Sequence, residues 1–188
     1  MGQAVADAPR HYLPSRSELS SPGNDWEQTW YLARQQGLGS ELTTFLWKLL
    51  HKLLPTQNRL LRMKKSRSSQ CQLCTSNQEE TLEHAFFLCT FNNGSGSLLL
   101  DHLRNLNATI TPSRALLLDF KIDHTLQFSV VWLAGNFLMN IWNARSDKKQ
   151  IRLYKIRADL ESRASLLRES RYSDNGEIIL EMLQQIFV

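Results

Sequence analysis

Leucines and aromatic residues recur along this chain at intervals of three and four, and no useful length of alternating apolar and polar positions appears, so the pattern predicts helices rather than strands. Trp26, Trp30 and Ala33 share one side of a helix predicted from Asp25 through Ala33, after which Gly37 and Gly39 break the chain. Ser40 is placed to cap the next helix, where Phe45, Leu46, Leu49, Leu50, Leu53 and Leu54 follow helical spacing as far as Pro55. Thr56 can cap a short helix carrying Leu60 and Leu61, so the pair reads as a helix-turn-helix in a loose geometric sense. Residues 66–78 are polar and hold too few apolar side chains for an element of their own. Thr81 opens a short helix through Phe86 and Phe87, and Asn92, Asn93, Gly94, Ser95 and Gly96 read as a loop. Leu99, Leu103 and Leu106 mark another helix, and Thr111-Pro112 is a cap followed by a proline start. Helical spacing then runs from Thr125 through Trp132, Ile141, Leu153, Ile156, Leu160, Ala164 and Leu167, with a break near Asn143 to Asp147. An amphipathic helix over Glu177 to Phe187 closes the chain.

The fold class is therefore mainly α. Residues 1–24 carry Pro9, Pro14 and Pro22 among serines and are expected to form a flexible arm. Residues 25–92 read as a helical segment with a small cysteine-bearing insert, and residues 93–188 as a C-terminal helical region. With 42% apolar and 21% charged residues in a chain of 188, a core of ordinary size is available without disulfides. The stretch from Leu126 to Trp142 contains Gln127, Ser129, Gly135, Asn136 and Asn140, which makes it too short and too polar to span a bilayer, and no membrane association is expected.

Only three cysteines are present, and all fall between positions 71 and 89. An odd count argues against a disulfide framework and for a reducing, intracellular location, nucleus or cytoplasm. Cys71, Cys74, His84 and Cys89 read C-x2-C-x9-H-x4-C. Two cysteines separated by two residues reach one ion from a single tight turn, and a histidine and a cysteine about one helical turn apart supply the other two corners of a tetrahedron. Four protein ligands leave no open position for water, which points to one structural zinc ion rather than a catalytic one. A redox pair is the competing reading of Cys71 and Cys74, but the strand-helix context such a pair needs is missing. His11, His51, His102 and His124 lack ligand partners and are expected to be ordinary surface residues.

The run Phe45-Leu46-Trp47-Lys48-Leu49-Leu50 to Leu54-Pro55-Thr56, then Arg59-Leu60, Cys71 and Cys74, Glu80-Thr81-Leu82-Glu83-His84 and Cys89, resembles the zinc-binding domain that follows the polymerase in non-LTR, LINE-type retrotransposon reverse transcriptases. The later Ile141-Trp142-Asn143-Ala144-Arg145 is similar to a helix common downstream of that domain. The close resemblance covers about residues 40 to 92. It implies zinc ligation by Cys71, Cys74, His84 and Cys89, a role in holding RNA or target DNA, and a chain that is a C-terminal piece of such an enzyme or a host protein derived from one. No Tyr-x-Asp-Asp polymerase signature occurs and the Asp residues form no cluster, so no enzyme activity is expected.

The net charge of +4 becomes informative once located. From Leu42 to Gln78 there is no Asp or Glu, while Lys48, Lys52, Arg59, Arg62, Lys64, Lys65 and Arg67 are basic, a one-signed stretch suited to phosphates beside the knuckle. Arg145, Lys148, Lys149, Arg152 and Lys155 form a second basic segment, whose competing reading is a solvated helix face. Trp47 is able to stack a base, but on a leucine-rich helix it is expected in the core. These features predict nucleic-acid binding, with RNA as the expected ligand and little sequence preference. The alternative is a protein-protein interaction module whose apolar helix faces meet another polypeptide.

Overall fold

The computed structural model describes residues 26–187, so the N-terminal arm and His11 lie outside the described residues. The helices are α1 (Trp26–Ala33), α2 (Ser40–Leu50), α3 (Gln57–Arg62), α4 (Ser95–Leu106), α5 (Pro112–Leu116), α6 (His124–Ser146), α7 (Leu153–Arg168) and α8 (Ser173–Ile186). Between α3 and α4 lie a π turn over His84–Leu88 and a 3₁₀ turn over Thr90–Asn92. No strand occurs among the described residues, although Gln70 and Glu79 form one antiparallel bridge.

The centre of the fold is α6, buried almost continuously from Ser129 to Met139 because α1, α2, α4, α7 and α8 all pack around it. A helix enclosed on every side needs no polar stripe, which is why its apolar residues are spread around it. No helix among the described residues is long and apolar enough to cross a membrane. The polar groups of α6 are accommodated inside the fold. The Asn136 side chain donates to the Trp132 carbonyl at 2.8 Å, and Asn140 donates to Asp159 on α7 at 2.9 Å. Gly135 lets α2 pack closely on α6, since a Cβ there would stand 2.9 Å from Leu42 Cδ1 and the leucine would have to shift. The same core takes Leu32 and Leu46, Phe86, Leu103, Leu133, Leu160 and Leu183, residues on both sides of position 92.

Several local expectations hold, and others fail for identifiable reasons. Thr56 and Thr111 cap α3 and α5, accepting from the Arg59 and Arg114 amides. Ser40 is the first residue of α2 rather than its cap; Gly39 occupies the cap without a side-chain bond. The expected loop through Gly96 stops earlier, with Ser95 and Gly96 already in α4. Gly96 cannot carry a side chain, as its Cβ would fall 1.9 Å from the Phe86 carbonyl oxygen, and α4 thereby seats directly on the π turn. His102 is not a surface residue. It is buried in α4 with Nε2 unpartnered, and burial lowers its pKa, so it is held neutral. Trp47 departs the other way, standing 42% exposed where the core was expected.

Candidate metal centre

Each ligand arrives by a different local device. Cys71 and Cys74 lie in the loop closed by the Gln70–Glu79 bridge, where the Cys71 amide donates to the Gln78 carbonyl at 2.9 Å and the Glu80 amide to the Ser69 carbonyl at 2.8 Å. His84 begins the π turn, with its amide donating to the Thr81 hydroxyl at 3.1 Å. The Cys89 amide donates to the His84 carbonyl at 2.9 Å, an i to i+5 closure. In α geometry, residues five apart are rotated by about 140°. The wider π turn brings them towards the same side, which is the physical basis of the x4 spacing. Asn92 stabilises this distorted turn by donating to the Ala85 and Phe86 carbonyls at 2.7 and 3.0 Å.

The three sulfurs and the imidazole nitrogen all lie within 4.8 Å of one another. Cys71 Sγ and Cys89 Sγ are 3.8 Å apart, and Cys74 Sγ is 3.4 Å from His84 Nε2. Bonds of about 2.3 Å to sulfur and about 2.0 Å to nitrogen give tetrahedral edges of about 3.8 Å between sulfurs and about 3.5 Å between sulfur and nitrogen. The donor set therefore fits a single zinc ion. With Nε2 turned to the metal, His84 Nδ1 is left to donate to Gln78 Oε1 at 3.2 Å, the outer contact that fixes a ligating imidazole. Cys71, His84 and Cys89 are buried, and Cys74 is partly exposed.

The thiols differ before metal enters. Desolvation raises Cys74, but hydrogen bonds with Ser76, Cys71 and His84 together outweigh it and hold the group at about 6. Burial pushes the Cys89 thiol up to about 11 against the opposing contacts of Arg145. Cys89 is thus protonated at neutral pH in the free site, and zinc loading must displace that proton.

Arg145 corrects the expectation of a nucleic-acid contact. It is buried at the C-terminal end of α6, 4% exposed, and points at the metal site. Its guanidinium pairs with the Glu80 carboxylate, donates to Asn92 Oδ1 at 3.2 Å and lies 3.7 Å from Cys71 Sγ. Three thiolates on one divalent ion carry an excess negative charge, and Arg145 places a cation beside it. Glu80 Oε2 in turn accepts from the Gln57 amide at 2.8 Å, which ties the first residue of α3 to the same network. The sequence reading gave Glu80, Asn92 and Gln78 no role at the metal, although Glu80 stands in the run that resembles the zinc-binding family and, with Glu79, ends the acid-free stretch.

The other basic residues remain at the surface. Lys48, Lys52, Arg62, Lys64, Lys65 and Arg67 are exposed, and Arg59 is half-buried with Nη1 donating to the Lys52 carbonyl at 2.7 Å. Lys148, Lys149, Arg152 and Lys155 are exposed near the break between α6 and α7, where Lys149 pairs with Asp147 and Arg152 donates to the Tyr154 hydroxyl.

Residues 15–95 match the family model described as zinc-binding in reverse transcriptase, and within that stretch Cys71, Cys74, His84 and Cys89 form a cluster that could hold one zinc ion. No curated protein and no solved structure matches the chain.

Proposed function

We propose, from the match of residues 15–95 to the family model for zinc-binding in reverse transcriptase, that the protein is a non-catalytic module of LINE-type origin that binds nucleic acid, RNA in the first place, through the basic surface beside its zinc site. One observation carries this reading. Lys48, Lys52, Arg62, Lys64, Lys65 and Arg67 are exposed, no acid interrupts the segment that holds them, and none is in an ion pair among the described residues. Cations with no internal partner are available to phosphates. The metal supports the arrangement by fixing the chain immediately downstream of Arg67. The second segment contributes less, because Arg145 is consumed inside the fold and Lys149 already has a carboxylate.

Replacing Arg62, Lys64, Lys65 and Arg67 with Ala is expected to weaken RNA binding while zinc content and helical signal stay at the parent's values. Each lost contact lowers the slope of log affinity against log salt by about 0.7 for a single strand. Filter binding of the zinc-loaded protein at about 50 and 200 mM salt measures this. Unchanged affinity in the quadruple variant, or no RNA binding by the parent, favours the protein-interaction module instead.

A further inference from the structure

The cleft between α1 and α2 is lined by Trp30, Ala33, Arg34, Thr43, Thr44 and Trp47, and its volume is about 220 Å³. Its aromatic wall is held in place. The His51 ring lies 4.8 Å from the Trp30 ring and 4.8 Å from the Trp47 ring, tilted by 39° and 50°, so the two indoles are braced on a common imidazole. Trp47 is nevertheless 42% exposed, although it stands on a helix whose other large apolar residues, Phe45, Leu46, Leu49 and Leu50, are buried. An indole left accessible in this way exposes apolar surface that its neighbours on α2 do not.

We infer that this cleft is a stacking subsite for one unpaired base of a single-stranded RNA, with Trp47 as the platform. The proposal rests on the nucleic-acid reading above and names where a base, rather than a phosphate, is held. Stacking on an exposed indole needs only a π face, which every base presents. Thr43 and Thr44 bring hydroxyls that donate or accept at a base edge, and Arg34 brings an exposed cation to the rim. Among the described residues no carboxylate lines the cleft. Of the acids on the two flanking helices, Glu41 is engaged by Arg163 at 3.2 Å, and Glu27 lies in the first turn of α1, whereas Arg34 follows its last residue. Lys48 follows Trp47 directly and begins the acid-free basic segment, so a strand whose base enters the cleft continues onto the cations that lead to the zinc. A basic track with an aromatic platform is the arrangement used to hold single strands without reading their sequence.

The test uses the full zinc-loaded chain and two oligonucleotides of equal length, an oligouridylate and its abasic counterpart, which carries the same phosphates without bases. The parent is expected to bind the oligouridylate at least about fivefold more tightly. Trp47→Ala is expected to remove that preference, to leave affinity for the abasic strand and the salt slope unchanged, and to keep the parent's zinc content. Trp47→Phe, which restores a ring, is expected to recover most of the preference. Quenching of the parent's tryptophan emission by the oligouridylate but not by the abasic strand gives the same answer without a variant. If Trp47→Ala binds both strands as the parent does, or loses affinity for both equally, the stacking subsite is wrong while the basic surface stands. If the parent binds neither strand at low salt, the nucleic-acid reading itself fails, and the subsite with it.

Discussion

Arg145→Met is expected to lower stability by about 3–5 kcal/mol, a large fraction of what a protein of this size possesses. The substitution keeps the aliphatic stem but leaves the Glu80 carboxylate buried without its cation, Asn92 Oδ1 without its donor, and the zinc thiolates without a neighbouring positive charge. A buried charge deprived of its partner costs far more than the net worth of the pair. The companion variant Arg145→Met/Glu80→Gln removes the stranded carboxylate and should therefore lose less than the sum of the two single variants. Urea unfolding of the parent, both single variants and the double variant measures the coupling. Additive losses would mean that Arg145 and Glu80 do not act together, contrary to the geometry. A surface arginine, whether a nucleic-acid contact as the sequence predicts or a solvated helix face as in the competing reading, would show a change within about 0.5 kcal/mol.

The second large effect is expected from Cys71→Ser. A structural zinc contributes an apparent binding free energy of about 10–16 kcal/mol in small zinc domains, and a hydroxyl does not replace a thiolate ligand. Residues 66–78 have no apolar core of their own and are held by the metal, one bridge and the Glu80 network. Loss of zinc should therefore abolish amide protection over residues 66–92 while α6, α7 and α8, which bury one another, keep theirs. Hydrogen exchange followed by mass spectrometry resolves the two regions. Full retention of zinc by the variant, or collapse of protection in α7 and α8 together with the knuckle, would each contradict this division of labour.

The ligand set was legible because metal chemistry depends on residue type at short spacing, and three cysteines confined to positions 71–89 leave little choice. The capping threonines at 56 and 111 were legible for the same reason, being local. What the pattern missed is set at long range or by backbone geometry. Arg145 and Glu80 are 65 positions apart, and no periodicity distinguishes an arginine that turns inward from the lysines beside it. The π turn exists because Asn92 holds two carbonyls and Gly96 admits α4, neither of which a hydrophobic pattern records. Trp47 stays accessible although its helix is rich in leucine, because the face it shares with Thr43 and Thr44 opens on a cleft rather than on α6. Helix ends were misplaced for a related reason. Lys52, Lys64 and Lys148 take the left-handed position that ends α2, α3 and α6, a place where a glycine is the usual marker.

X-ray absorption at the zinc edge of the purified protein tests the metal centre most directly. The geometry predicts one zinc per chain with three sulfur neighbours at about 2.3 Å and one nitrogen at about 2.0 Å, and no oxygen shell. A folded, reduced sample without zinc, or a spectrum with fewer sulfurs and a bound water, would contradict the assignment of Cys71, Cys74, His84 and Cys89 as a closed structural site.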